Sequence, residues 1–88
     1  MNQTHENNYR RLEAAARIAR ALAQGEFRTT TREEAEDLGW EADSDTPEVF
    51  IDGPIAAILN SDRSRIEWCD ETGNVWIIAT ATGEMTQG

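Results

Sequence analysis

Apolar positions along this chain follow a helical period at the start, a strand-like alternation at the end, and no single period between. From Tyr9 to Gln24, the residues Tyr9, Leu12, Ala16, Ala19 and Ala23 recur at helical spacing, and Ile18 and Leu22 widen the stripe. Alanine and arginine, both strong helix formers, dominate the segment. Asn7 or Asn8 is placed to cap its start, and Gly25 to close it in the left-handed region. Glu13 lies three residues after Arg10 and four before Arg17, spacings at which side chains pair on a helix surface.

Thr31-Arg32-Glu33-Glu34 is a capping box, in which the Thr31 hydroxyl accepts from the Glu34 amide while the Glu34 side chain reaches back. It predicts a short helix to Leu38, buried through Ala35 and Leu38 and stopped by Gly39, with Trp40 returning to the core. Glu41 to Asp45 has no apolar period and reads as a loop. Thr46-Pro47-Glu48 is a second helix-start signal, good for one turn through Ile51 before Gly53-Pro54. Ile55 to Asn60 fits a helix face or a buried strand, and a short helix is the preferred reading.

Ser64 to Asp70 and Asn74 to Thr82 alternate as strands do, joined by Glu71-Thr72-Gly73, where Gly73 supplies the positive φ of a three-residue hairpin loop. With Asp70 facing Asn74, Trp68 falls opposite Trp76 and Ile66 opposite Ile78, all on one face. The expected fold class is α+β: an N-terminal helix, one or two short helices and a C-terminal antiparallel hairpin or small sheet. The chain reads as a single domain over 1–88, with 1–8 and 83–88 as frayed termini. Its expected core is Leu12, Ala16, Ile18, Ala19, Leu22, Leu38, Phe50, Ile58, Ile66, Trp68, Trp76 and Ile78.

Charge changes the picture from a generic small domain. Seventeen acidic residues face eight basic ones, all arginine, for a net charge of −9. The excess is uneven. Residues 1–32 hold six Arg and three Glu, whereas residues 33–88 hold two Arg and fourteen acids, and Glu33 to Asp52 contains nine acids and no base. Such a surface repels phosphate and complements a basic patch on another macromolecule.

Candidate chemistry is sparse. One cysteine, Cys69, permits no internal disulfide, and with one histidine, His5, it cannot close a tetrahedral zinc site. A calcium loop begun at Asp43 would place Pro47, Glu48 and Pro54 where a ligand, the turn glycine and the bidentate acid belong. Adjacent acids such as Glu33/Glu34 and Asp70/Glu71 lack any sign of the cleft that would split their pKa values. No enzymatic activity and no cofactor are expected. The polar first residues lack a secretory apolar region and no stretch reaches the roughly 20 residues of a spanning helix, so a cytoplasmic protein is expected.

In size, acidity, lack of catalytic residues and helix-plus-hairpin plan, the whole chain resembles small phage-encoded anti-defence proteins, notably anti-CRISPR inhibitors. The resemblance is one of type and carries over no site residue. It implies an inhibitor that mimics nucleic acid and blocks the basic groove of a nucleic-acid-binding protein. The candidate contact residues come from the acid-only stretch: Glu33, Glu36, Asp37, Asp43 and Asp45. The order of elements from Thr31 through the hairpin is also similar to winged-helix domains, with residues 47–60 as the recognition region, although that region carries Glu48 and Asp52 and no base. A third possibility is a self-associating subunit, the basic first segment of one copy meeting the acidic remainder of another. The chain is expected to be a monomer or small homo-oligomer that binds neither nucleic acid nor membrane directly.

Overall fold

The structure is a computed structural model that describes residues 3–70 and 72–88, with residues 3–10 described by backbone alone. The chain runs α1 (Gln3–Ala23), β1 (Arg28–Thr29), α2 (Arg32–Asp37), β2 (Glu48–Asp52), β3 (Ile55–Leu59), β4 (Arg65–Cys69), β5 (Val75–Ala79) and β6 (Met85–Gln87). The six strands form one antiparallel sheet in sequence order, each paired with its neighbour. This overturns the helix-led α+β expectation, because the sheet rather than the helices forms the framework. No described helix is long and apolar enough to cross a membrane.

The largest correction concerns residues 47–60. They form the β2–β3 hairpin, with Val49 opposite Ile58 and Phe50 opposite Ala57, instead of two short helices. Gly53 at φ +57 is the first residue of a two-residue loop, where the tight hairpin turn calls for a positive φ. With no helix there, the winged-helix order has no recognition element among the described residues. The segment after Thr82 is also no tail, since Met85 pairs with Ile78 and Thr86 with Ile77.

The C-terminal hairpin forms in the expected register. Ile66 faces Ile78, Trp68 faces Trp76, and Gly73 takes φ +90 in the loop. Glu71 of that loop, like Met1 and Asn2 of the segment expected to fray, lies outside the described residues.

One face of the sheet receives α1. Ile18 and Ala21 pack with Phe50, Ala57, Leu59, Ile66, Trp68 and Ile78, and Ala14, Ala15 and Leu22 close the edges. Helix α1 begins at Gln3, upstream of the asparagines expected to cap it. It is also turned relative to the expected stripe. Ala16 and Ala19 are exposed and Leu12 is 63% exposed, whereas Ile18 is fully buried. The physical reason is close approach: Ala14, Ala15 and Ala21 bring the helix backbone onto the sheet and leave Ile18 as the large residue that fills the gap.

Two arginines fasten this packing. The Arg17 guanidinium lies 4.8 Å from the Phe50 ring centroid, donates to both carboxylate oxygens of Glu26 at 3.0 Å, and reaches Asp52 at 3.0 Å. The expected Glu13–Arg17 pair is absent, because all three donor nitrogens of Arg17 are engaged by these partners. Arg11 lies 4.2 Å above the Trp76 ring, with its Nε 3.9 Å from Asp70. Asp70 in turn accepts from the Trp76 indole at 2.8 Å, the Thr72 hydroxyl at 2.6 Å and the amides of Thr72 and Asn74. Burial opposes its ionisation, yet these donors outweigh burial and hold its pKa down to about 2.

Candidate functional site

The opposite face of the sheet carries a smaller cluster: Val49 and Ile58 are covered by Ala35 and Ala42, with Leu38 and Trp40 at the margin. This cover is α2 and the loop that follows it, a segment that holds seven of the seventeen acids. Thr31 begins α2 in extended geometry, its hydroxyl accepting from the Glu34 amide at 3.1 Å. The reciprocal half of the capping box is replaced, since the Glu34 carboxylate takes Arg28 at 2.7 Å and the Thr30 hydroxyl. Hydrogen bonding to Arg28 lowers the Glu34 pKa.

At its other end α2 closes in a Schellman motif. The Trp40 amide donates to the Ala35 carbonyl and the Gly39 amide to the Glu36 carbonyl, both at 2.9 Å, with Gly39 at φ +92. The reversal turns the Trp40 ring back toward the sheet, as expected, and leaves it half-buried. With Ala35 held inside, Glu33, Glu36 and Asp37 are exposed, and their three- and four-residue spacings place them on one helix face.

The structure divides the five sequence-derived candidates. Glu33, Glu36 and Asp37 have no ion-pair partner among the described residues. Asp43 and Asp45 are engaged within the fold. Asp43 accepts from the Ser61 amide and hydroxyl at 3.0–3.1 Å, which lowers its pKa and ties the loop to the β3–β4 turn. Asp45 pairs with Arg32 at 3.1 Å, and Arg32 also donates to the Ala42 carbonyl at 3.0 Å. Both bonds hold the covering loop in place.

Glu41, two residues beyond the Schellman glycine, joins the free set; it is exposed and without an ion-pair partner among the described residues. It lines a small cleft over β3 and β4 together with Asp43, Ile58, Arg65 and Glu67. The candidate site is therefore Glu33, Glu36 and Asp37, unneutralised carboxylates on a capped helix, with Glu41 a fourth on the loop that follows it.

A second feature lies at the near end of the β2–β3 ladder. A depression of about 320 Å³ is lined by Thr29, Ser44, Thr46, Glu48, Asn60 and Ser61. The Glu48 carboxylate is held by Arg63, and the lining includes neither histidine nor cysteine. Cys69 is exposed on β4, away from this depression. No family model matches the chain, and no curated protein or solved structure matches it at a significant level.

Proposed function

We propose that this chain is a non-enzymatic, protein-binding inhibitor whose acidic α2 surface occupies the basic groove of a nucleic-acid-binding protein, as an anti-CRISPR-like mimic would. The observation that carries the reading is the α2 patch itself. Of the arginines whose side chains are described, 11, 17, 28, 32, 63 and 65 lie within 4 Å of an acid and only Arg20 does not, whereas Glu33, Glu36, Asp37 and Glu41 remain unneutralised among the described residues. Carboxylates held on a short rigid helix present fixed negative charge at a spacing that a groove lined with Arg or Lys can meet. A groove built for phosphate supplies that complement, and long-range attraction speeds docking.

The test uses the immobilised chain and a lysate of its source cell or that cell's host. The captured protein should bind nucleic acid, elute with short duplex DNA or RNA, and dissociate faster as salt shortens the Debye length. A variant carrying Glu33→Gln, Glu36→Gln, Asp37→Asn and Glu41→Gln should capture at least tenfold less of it, the loss of several charge-assisted contacts. Capture that is unchanged by the four substitutions and indifferent to nucleic acid refutes the reading.

A further inference from the structure

The exposed side of α1 carries an apolar seam that the fold leaves unused. Residues 9, 12, 16, 19 and 23 follow the alternating three-and-four spacing of a coiled-coil a/d seam. The sheet takes the opposite side of the helix, through Ala14, Ile18 and Ala21. Leu12, Ala16, Ala19 and Ala23 are thereby left in solvent, with Leu12 at 63% the most exposed large apolar side chain among the described residues.

We infer that this seam pairs α1 with α1 of a second copy, antiparallel. The residues themselves specify the register. Setting Ala16 of one copy against Ala19 of the other makes four layers: Leu12 on the partner's Ala23, Ala16 on Ala19, and the two symmetry equivalents. Each large residue then meets a small one, and the two central layers are alanine throughout, which allows the helix axes to approach to about 8 Å.

Charge supports the same register. Glu13 and Arg20 occupy the positions that flank an a/d seam on one side. Both are exposed, and neither has an ion-pair partner among the described residues. In the antiparallel arrangement Glu13 of each copy lies beside Arg20 of the other, giving two opposite-charge pairs. A parallel pairing would instead set Glu13 and Arg20 against the partner's opposite flank, residues 8, 15 and 22, none of which is charged. The occupant that fits both the shape and the charge is thus a second copy of this chain, and α2, on the far face of the sheet, stays free for a different partner.

Sedimentation equilibrium of the intact chain should show a concentration-dependent dimer that Leu12→Glu abolishes without changing the circular dichroism spectrum. Glu13→Arg alone and Arg20→Glu alone should each weaken dimerisation about tenfold at low salt, since two attractive pairs become repulsive. The double variant should recover the parent's dimerisation, because the pairs are re-formed with reversed sign. A chain that stays monomeric at millimolar concentration and low salt overturns the inference. A double variant no better than the singles overturns the antiparallel register. Neither result bears on capture through α2, whose residues are unchanged in all these variants.

Discussion

The two helices of this protein use charge in opposite ways. On α1, Arg11 and Arg17 lie over aromatic rings and reach carboxylates supplied by other elements: Asp70, Glu26 and Asp52. Their charges fasten a 21-residue helix to the sheet. On α2, six residues long, Glu34 and Arg32 are taken up by Arg28 and Asp45, but Glu33, Glu36 and Asp37 neutralise nothing among the described residues. In a chain of net charge −9 a surplus of acid is unavoidable. Three unpaired acids on one short helix, while every arginine with a described side chain except Arg20 is paired, separate charge that holds the fold from charge that is available to a partner.

The steepest way to break that contrast is through the α1 interface. Ile18 is fully buried between helix and sheet. Ile18→Ala should cost about 2–5 kcal/mol, a loss that includes the cavity left behind. A domain of this size has little margin, so the urea midpoint followed by tryptophan fluorescence should fall sharply or the transition disappear. A loss below about 1 kcal/mol would mean that α1 is not seated as described.

Next in size is the Asp70 fastening. Asp70→Asn keeps the shape but sets an amide against the Trp76 indole and removes the charge from four donors, for a cost of about 2 kcal/mol. The sign with pH follows from the lowered pKa. The ionised carboxylate is favoured in the folded state, so its contribution is complete above the ordinary value of 3.8 and is lost as pH falls toward about 2. Between pH 4 and pH 2 the parent should therefore lose more stability than Asp70→Asn does. Parallel acid limbs for the two proteins would show that Asp70 is not the group responsible.

How much of this was legible depends on whether a residue's partners were near in sequence. The β4–β5 hairpin was readable because loop glycine, cross-strand tryptophans and alternation all agreed on one register. The β2–β3 hairpin was not, for Phe50, Ala57 and Leu59 enter the α1 side while Val49 and Ile58 enter the α2 side. Burial on both faces erases the alternation that marks a strand. Pro47, read as the start of a helix, instead precedes β2, its carbonyl accepting from the Thr30 amide. On α1 the alanines were the difficulty, since Ala16 and Ala19 match the helical period as well as Ala14 and Ala21 do. For the candidate site, helix geometry was enough to place Glu33, Glu36 and Asp37 together. The engagement of Asp43 by Ser61 and of Asp45 by Arg32 depends on contacts 18 and 13 residues apart, which no local pattern encodes.

The smallest expected effect on stability sharpens the comparison most, because it separates two explanations of the α2 acids. If they served the fold, removing their charge would cost stability at each position. The ends of a helix carry opposite partial charges, so an acid helps in the first turn and hurts in the last. Glu33 stands in the first turn, whereas Asp37 is the last residue of α2, a helix with no base in its final turn. Glu33→Gln should therefore destabilise by a few tenths of a kcal/mol, and Asp37→Asn should be neutral or stabilising by a similar amount. Glu33 and Asp37 also repel across one turn, a strain that either substitution relieves. The variant with all four acids neutralised should unfold within about 0.5 kcal/mol of the parent in urea. A fold indifferent to these carboxylates, combined with lost capture of the partner, assigns them to binding. A loss of 2 kcal/mol or more in the same variant, well beyond the usual surface range, would instead place them among the groups that hold α2 on the sheet and remove the basis for the mimic reading.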